Sequence, residues 1–183
     1  WGLGPMFRRE RPQKGRFRQF NQINFEIFGS NDSLADAELI ILANDILTSI
    51  LPNSKFKLNI NSLGNKNDLN NYKLNLQKYF NEKRQKLSED SRNKIDKNCL
   101  RILDSKDEDD ISISKNAPSI QEFISDASKQ HYKEIKNFLI MNNVTFEENY
   151  KLVRGLDYYC STVFEFKTDQ LGSQDTLLGG GRY

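Results

Sequence analysis

Two stretches of this 183-residue chain concentrate the side chains that could do chemistry. The first runs Phe7-Arg8-Arg9-Glu10-Arg11-Pro12-Gln13-Lys14-Gly15-Arg16 and continues Phe17-Arg18-Gln19-Phe20. Arg8, Arg9, Arg11, Lys14, Arg16 and Arg18 meet a single acid there, Glu10. A guanidinium is a planar fork that grips phosphate oxygens two at a time, so arginines on a strand beside a basic loop suit a polyphosphate or a nucleic-acid end. A solvated basic hairpin would carry the same charges. Against that alternative, Arg8 and Glu10 share one strand face, and Gln22 and Glu26, four apart, share the next. The second stretch is Leu152-Val153-Arg154-Gly155-Leu156-Asp157-Tyr158-Tyr159, with Thr162-Val163-Phe164-Glu165 beyond it. By residue type alone, Tyr158 and Tyr159 could be ordinary strand aromatics and Arg154 a surface charge. Gly179-Gly180-Gly181-Arg182-Tyr183 adds a glycine run over which a ligand can approach the backbone.

The elements that must hold these groups read as follows. Residues 5–10 and 17–28 form two strands joined by the loop 11–16, which Pro12 and Gly15 punctuate. Alternation places Arg18, Phe20, Gln22, Asn24, Glu26 and Phe28 on one face of the second strand, with Ile23, Phe25 and Ile27 on the other. Polar groups in mid-sheet are expensive to bury unless a ligand uses them, and Glu26, between Phe25 and Phe28, fits a water-facing position poorly. A helix follows, with Ser33 and Asp36 resembling a capping box and Leu34, Ala37, Ile41, Leu42, Ile46 and Ile50 near a 3.6 period. Phe56, Leu58 and Ile60 alternate as a strand closed by Ser62-Leu63-Gly64. Over 65–143 the character turns helical: Leu69, Tyr72, Leu76, Tyr79 and Phe80 mark one amphipathic helix. Others lie at 88–98, at 119–127 (a Ser119/Glu122 capping box) and at 127–141, with Tyr132, Ile135, Phe138 and Leu139 as the last stripe. Strands return at 144–148, 152–153 and 158–167, where Cys160, Thr162, Phe164 and Phe166 share a face. The expectation is an α+β fold: core residues 1–64 and 144–183 enclosing an inserted all-helical domain, 65–143. Short strands with Gly-containing turns favour an antiparallel sheet.

Composition mostly excludes. Hydrophobic residues are 37% and charged residues 28%, polar for a globular chain, yet twelve Phe and seven Tyr can fill a core. A net charge of +2 does not by itself point to nucleic acid. The segment Asp104-Ser105-Lys106-Asp107-Glu108-Asp109-Asp110 reads as an acidic surface loop. Cys99 and Cys160 form no CxxC pair, and His131 has no partner at ligand spacing, so neither a metal site nor a disulfide framework is expected. No 18-residue apolar run suggests a membrane helix, and Trp1-Gly2-Leu3-Gly4-Pro5 lacks the regions of a signal peptide. The expected location is cytoplasmic, with no membrane partner.

Phe7-Arg8-Arg9-Glu10, its loop, and Arg16-Phe17-Arg18-Gln19-Phe20-Asn21-Gln22 together resemble motif 2 of class II aminoacyl-tRNA synthetases. The run Leu152 to Tyr159, with Thr162 to Glu165, resembles a signature of the histidyl-tRNA synthetases in particular. The likeness is strongest at 4–29 and 151–183 and loosest through the helices. It implies a class II synthetase-like antiparallel sheet flanked by helices, with a helical insertion. It also implies ATP-dependent activation of L-histidine to histidyl-adenylate and transfer to tRNA(His). In that scheme Arg8 and Arg154 are the catalytic cations at the α-phosphate. Arg8, Glu10, Arg16 and Arg18 bind ATP; Gln22, Glu26, Arg154, Tyr158 and Tyr159 bind histidine; Arg11, Lys14 and Arg16 meet the tRNA acceptor end. Mg²⁺ is expected with ATP, without an assigned site, and the parent enzyme is expected to be a homodimer. Motif 1, motif 3 and the anticodon-binding domain fall outside these residues, so the isolated chain is expected not to complete adenylation. Two alternatives stay open: a non-catalytic synthetase-like paralogue, such as the regulatory subunit of ATP phosphoribosyltransferase, and an inactive fragment. The presence of Arg8, Glu10 and Arg154 argues against the paralogue.

Overall fold

The computed structural model describes residues 1–9, 11–12, 16–156, 158–171 and 175–183. It opens with strands β1 (Gly2–Phe7) and β2 (Gln19–Asn24), which pair antiparallel with Leu3 opposite Ile23 and Phe7 opposite Gln19. Arg8 extends the ladder by one bond, its N–H donating to the Arg18 carbonyl at 2.8 Å. Among the described residues these strands pair only with each other. The ribbon therefore leaves Leu3, Phe7 and Ile23 exposed, and its polar groups are not those of a mid-sheet strand. The second strand also stops at Asn24, short of the expected residue 28, so Glu26 lies beyond it rather than on one face with Gln22.

Helix α1 (Ser33–Ile50) is capped by Asp32, whose carboxylate accepts from the Leu34 N–H. Such a cap contributes about 1 kcal/mol. Ser33 is instead the first helical residue, and its hydroxyl donates to Glu134 at 2.8 Å. The buried stripe is Ser33, Ala37, Ile40, Ala43 and Leu47, while Leu34, Leu42 and Ile50 remain exposed. Because α1 is apolar nearly all round, its period alone did not fix the face.

Strand β3 (Lys57–Ser62) leads into α2 (Lys66–Glu82), α3 (Glu89–Asn98), α4 (Glu108–Ser114) and α5 (Asp126–Met141), with short 3-10 turns between them. Gly64 makes the corner after β3 at φ +68, and a Cβ there would lie 2.6 Å from the Asp68 Cβ. The Ser119/Glu122 capping box forms, but over a 3-10 turn at Ile120–Glu122. The acidic segment before residue 110 is not simply a surface loop. Asp107 caps α4, and Asp110 is fully buried, accepting from the Ser88 N–H and the hydroxyls of Ser88, Ser91 and Ser105.

Strands β4 (Phe146–Glu148), β5 (Cys160–Lys167) and β6 (Thr176–Arg182) complete a four-stranded sheet in the order β4-β3-β5-β6. Pairs β3–β5 and β5–β6 are antiparallel, whereas β3–β4 is parallel because helices carry the chain back across the sheet between them. Residues 152–153 lie in no strand. Each sheet face has its own core. Leu58, Ile60, Phe164 and Phe166 pack on Ala37 and Ile40 of α1 and Tyr132, Ile135 and Leu139 of α5. Val163, with Leu63, Leu152 and Val153, packs on Leu69, Tyr72, Leu76 and Phe80 of α2 and the helices beyond. Thus α5, read as part of the 65–143 insertion, packs on α1 and the sheet. Its apolar stripe announces a helix but not a partner.

One irregularity re-aims side chains. Ser161 sits at φ 50, and the β5–β6 register shifts between Cys160 and Val163. Thr162 consequently bonds α1, while Cys160 turns toward α2, so the four alternate residues expected on one face do not share it.

Candidate active site

Arg154 emerges from a segment pinned by the buried Leu152 and Val153, and Asn61 Nδ2 donates to the Leu152 carbonyl at 3.0 Å. Its Nη1 donates to Glu165 Oε1 on β5. Glu165 stands directly opposite Gly179 of β6, and a Cβ on Gly179 would fall 2.5 Å from Arg154 Nη1. The guanidinium carbon is 5.8 Å from the Tyr159 ring centroid, near the outer limit of a cation–π contact. The Arg154 Nε is buried and has no hydrogen-bond acceptor among the described residues. Lys167 Nζ lies 3.4 Å from the second Glu165 oxygen and 3.5 Å from Asp175. Burial pulls the Lys167 ammonium down, but these two carboxylates outweigh it and hold its pKa above the usual lysine value.

Beside Arg154 the tyrosines form a chain. The Tyr158 and Tyr159 rings are 4.6 Å apart, and Tyr158 and Tyr183 meet edge-on at 5.5 Å. The Tyr183 hydroxyl donates to Glu26 Oε2 at 3.0 Å. That bond to a carboxylate, then partial burial, raises the Tyr183 pKa; the Tyr159 contact, then burial, does the same for Tyr158. Tyr158, Tyr159, Cys160 and Tyr183 face Lys66, Leu69, Asn70 and Lys73 of α2 across a groove of about 350 Å³. A groove of that size, aromatic on one wall and cationic on the other, can hold a ring and an anionic group together.

The hairpin contributes differently from expectation. Arg8 lies over the Phe20 ring at 3.7 Å, with a buried Nε that has no acceptor among the described residues. Gln22 is exposed and donates to Asn24, two residues on along the same face. Glu26 is exposed rather than buried, because Phe25 and Phe28 do not close over it: Phe28 is 76% exposed. Arg11 and Arg18 are exposed and Arg16 is half-buried. Glu10 and Lys14 lie outside the described residues, as does Asp157 of the second stretch. The structure therefore brings Glu26, Arg154, Tyr158 and Tyr159 into one neighbourhood, with Tyr183 as the bridge. Arg8 and Gln22 stay on the separate ribbon.

Sequence reasoning missed a second cluster. Asp36, assigned above to helix capping, points into the sheet. It accepts from Thr162 Oγ1 at 2.6 Å and from Arg182 Nε at 3.2 Å, with His131 Nε2 at 3.0 Å. Its other oxygen meets Arg182 Nη2 at 2.8 Å. Arg182 also donates to the Ser30 and Asp32 carbonyls, tying the entrance of α1 to the end of β6. Burial pushes the Asp36 carboxyl up, but bonds from His131, Thr162 and Arg182 override it and leave the pKa below the ordinary value. Tyr183, which closes the tyrosine chain, gave no signal beyond its place after the glycine run. Among the described residues no three His, Cys, Asp or Glu side chains converge as a metal-ligand group, so none is assigned to Mg²⁺.

A sheet with helices packed on both faces, of the class II synthetase type, is matched by the crystal structure of apo S. aureus histidyl-tRNA synthetase. The TM-score is 0.73 at 32% identity, over 99% of this chain and 42% of that one. A family model described as histidyl-tRNA synthetase matches residues 2–183. The chain belongs to the histidyl-tRNA synthetase family. A histidine–tRNA ligase of Wolbachia pipientis wMel is 52% identical over all 183 residues, which cover 45% of its own length. The chain thus spans less than half the length of each of these two relatives. A Bacillus halodurans protein titled ATP phosphoribosyltransferase regulatory subunit/histidyl-tRNA synthetase shares the fold, with a TM-score of 0.61 at 19% identity, over 99% of this chain and 50% of that one.

Proposed function

We propose that these residues form the middle of the catalytic region of a histidine–tRNA ligase acting in the cytoplasm. The observation that supports this best is Arg154, fixed on Glu165 beside tyrosines that reach Glu26 through Tyr183. In the first step a carboxylate oxygen of L-histidine forms a bond to the α-phosphorus of ATP, and pyrophosphate leaves with the electrons of the broken P–O bond. Negative charge builds on the phosphoryl oxygens, and fixed guanidinium groups offset it. Arg154 and Arg8 take that role, with Glu10, Arg16 and Arg18 holding the nucleotide. Gln22, Glu26, Tyr158 and Tyr159 hold histidine, Glu26 exchanging its Tyr183 bond for an imidazole N–H. A wrong amino acid would leave that carboxylate without its partner. In the second step a terminal hydroxyl of tRNA(His) attacks the acyl carbon and AMP leaves, with Arg11, Lys14 and Arg16 against the acceptor end. Mg²⁺ arrives with ATP, and the working enzyme is a homodimer. The helical insertion comprises residues 65–143, with α5 at its end packed on α1 and the sheet.

The test is histidine-dependent ATP–pyrophosphate exchange in a full-length protein carrying this chain. Arg154→Ala should lower kcat by about 100-fold or more, as loss of a transition-state charge contact does. Exchange within a few-fold of the unaltered protein would reject the assignment. Binding of histidine and ATP without charging of tRNA would favour a non-catalytic paralogue.

A further inference from the structure

We propose that Glu165 is the positioning residue for Arg154, and that Gly179 supplies the bare backbone over which the guanidinium lies. The proposal rests on Arg154 being the phosphate-binding arginine. An arginine side chain has several rotatable bonds, so its usefulness in a reaction depends on what stops it moving. Here one carboxylate does so. Glu165 is itself held from more than one side: Oε1 accepts from Arg154 Nη1, while Oε2 lies 3.4 Å from both Lys167 Nζ and the Thr176 hydroxyl. Its side chain is only 12% exposed and that of Arg154 23%, so water competes weakly for the pair.

The cross-strand geometry completes the device. Glu165 and Gly179 are direct partners on β5 and β6. A Cβ at 179 would meet Arg154 Nη1 at 2.5 Å, Cζ at 3.0 Å and Nη2 at 3.2 Å. The whole guanidinium plane therefore rests on the position where any side chain would stand. Gly179 is required for space, not for an unusual backbone angle. Glu165 engages only Nη1, and the buried Nε has no acceptor among the described residues, so part of the fork stays available to an anionic ligand. Strand β5 is anchored by Val163, Phe164 and Phe166, so the ion pair is not what holds the sheet.

Pyrophosphate exchange in the full-length protein distinguishes the possibilities, with Arg154→Ala run alongside Glu165→Ala, Glu165→Gln, Gly179→Ala and the Arg154→Ala/Glu165→Ala double variant. Glu165→Ala should lower kcat about 10- to 100-fold, the scale for misplacing a reacting group by an ångström, with KM for ATP within roughly threefold. Glu165→Gln, which keeps the acceptor but not the charge, should fall between. The double variant should be no slower than Arg154→Ala alone, because Glu165 acts through Arg154. If Glu165→Ala fails to fold, Gly179→Ala, which leaves Glu165 in place, must show the kcat loss. Glu165→Ala or Gly179→Ala within threefold of the unaltered protein, with Arg154→Ala inactive, would overturn the positioning role and spare the functional reading. A double variant slower than Arg154→Ala by the full Glu165→Ala factor would also overturn it. Unimpaired Arg154→Ala would overturn both.

Discussion

Replacing Asp36 by alanine should destabilise this chain far more than replacing any exposed acid. Asp36 and Arg182 have side chains only 11% and 17% exposed, and the carboxylate gathers Thr162, His131 and two nitrogens of Arg182. Breaking a buried pair by removing one partner costs about 3–5 kcal/mol, chiefly because the other charge stays behind unpaired. Arg182 keeps the Ser30 and Asp32 carbonyls, so the low end, about 3 kcal/mol, is expected. In a chain of 183 residues that lowers Tm by about 6–12 °C. Glu147 is the control. Its bond to Lys57 joins side chains 59% and 67% exposed, and Glu147→Ala should change stability by about 0–1 kcal/mol. Urea titration of both variants, followed by far-ultraviolet circular dichroism, gives the comparison. An Asp36→Ala midpoint no lower than that of Glu147→Ala would show that the cluster does not tie α1 to the sheet.

Acid should find the same groups. Asp36, Asp68 and Asp110 all lie below the ordinary carboxylate value because hydrogen bonds outweigh burial. Their stabilisation is therefore complete above the unfolded pKa of 3.8 and is lost as pH falls through their lower folded values. Stability that stayed level between pH 5 and about 2 would contradict this. Burial pushes the Cys99 thiol up to about 11, so alkylation near pH 8 should label the half-buried Cys160 first; equal rates in peptide mapping would refute it. Gly64→Ala forces a side chain into φ +68 against Asp68 and should cost about 1–3 kcal/mol, read by thermal denaturation; an unchanged midpoint would mean the corner relaxes freely.

Much was legible in the sequence because its signals are local. Helices at 66–82, 89–98 and 126–141 follow from apolar spacing and capping residues, and the strand at 57–62 from alternation closed by Gly64. The α+β class follows from their order. The chemistry of Arg154, Tyr158 and Tyr159 was visible as residue types, and their meaning came from family resemblance rather than spacing. The tertiary structure decided what depends on partners distant in sequence. It packed α5 on α1 and the sheet, since a stripe of Tyr132, Ile135 and Leu139 fits any apolar surface of the right shape. It turned Asp36 from a supposed cap into the acceptor for residues 95, 126 and 146 positions away. It exposed Glu26, buried Asp110, and sent Cys160 and Thr162 to opposite sides through one bulge at Ser161. A sequence states which bonds each residue can make; only the folded chain determines which partner arrives first and at what angle.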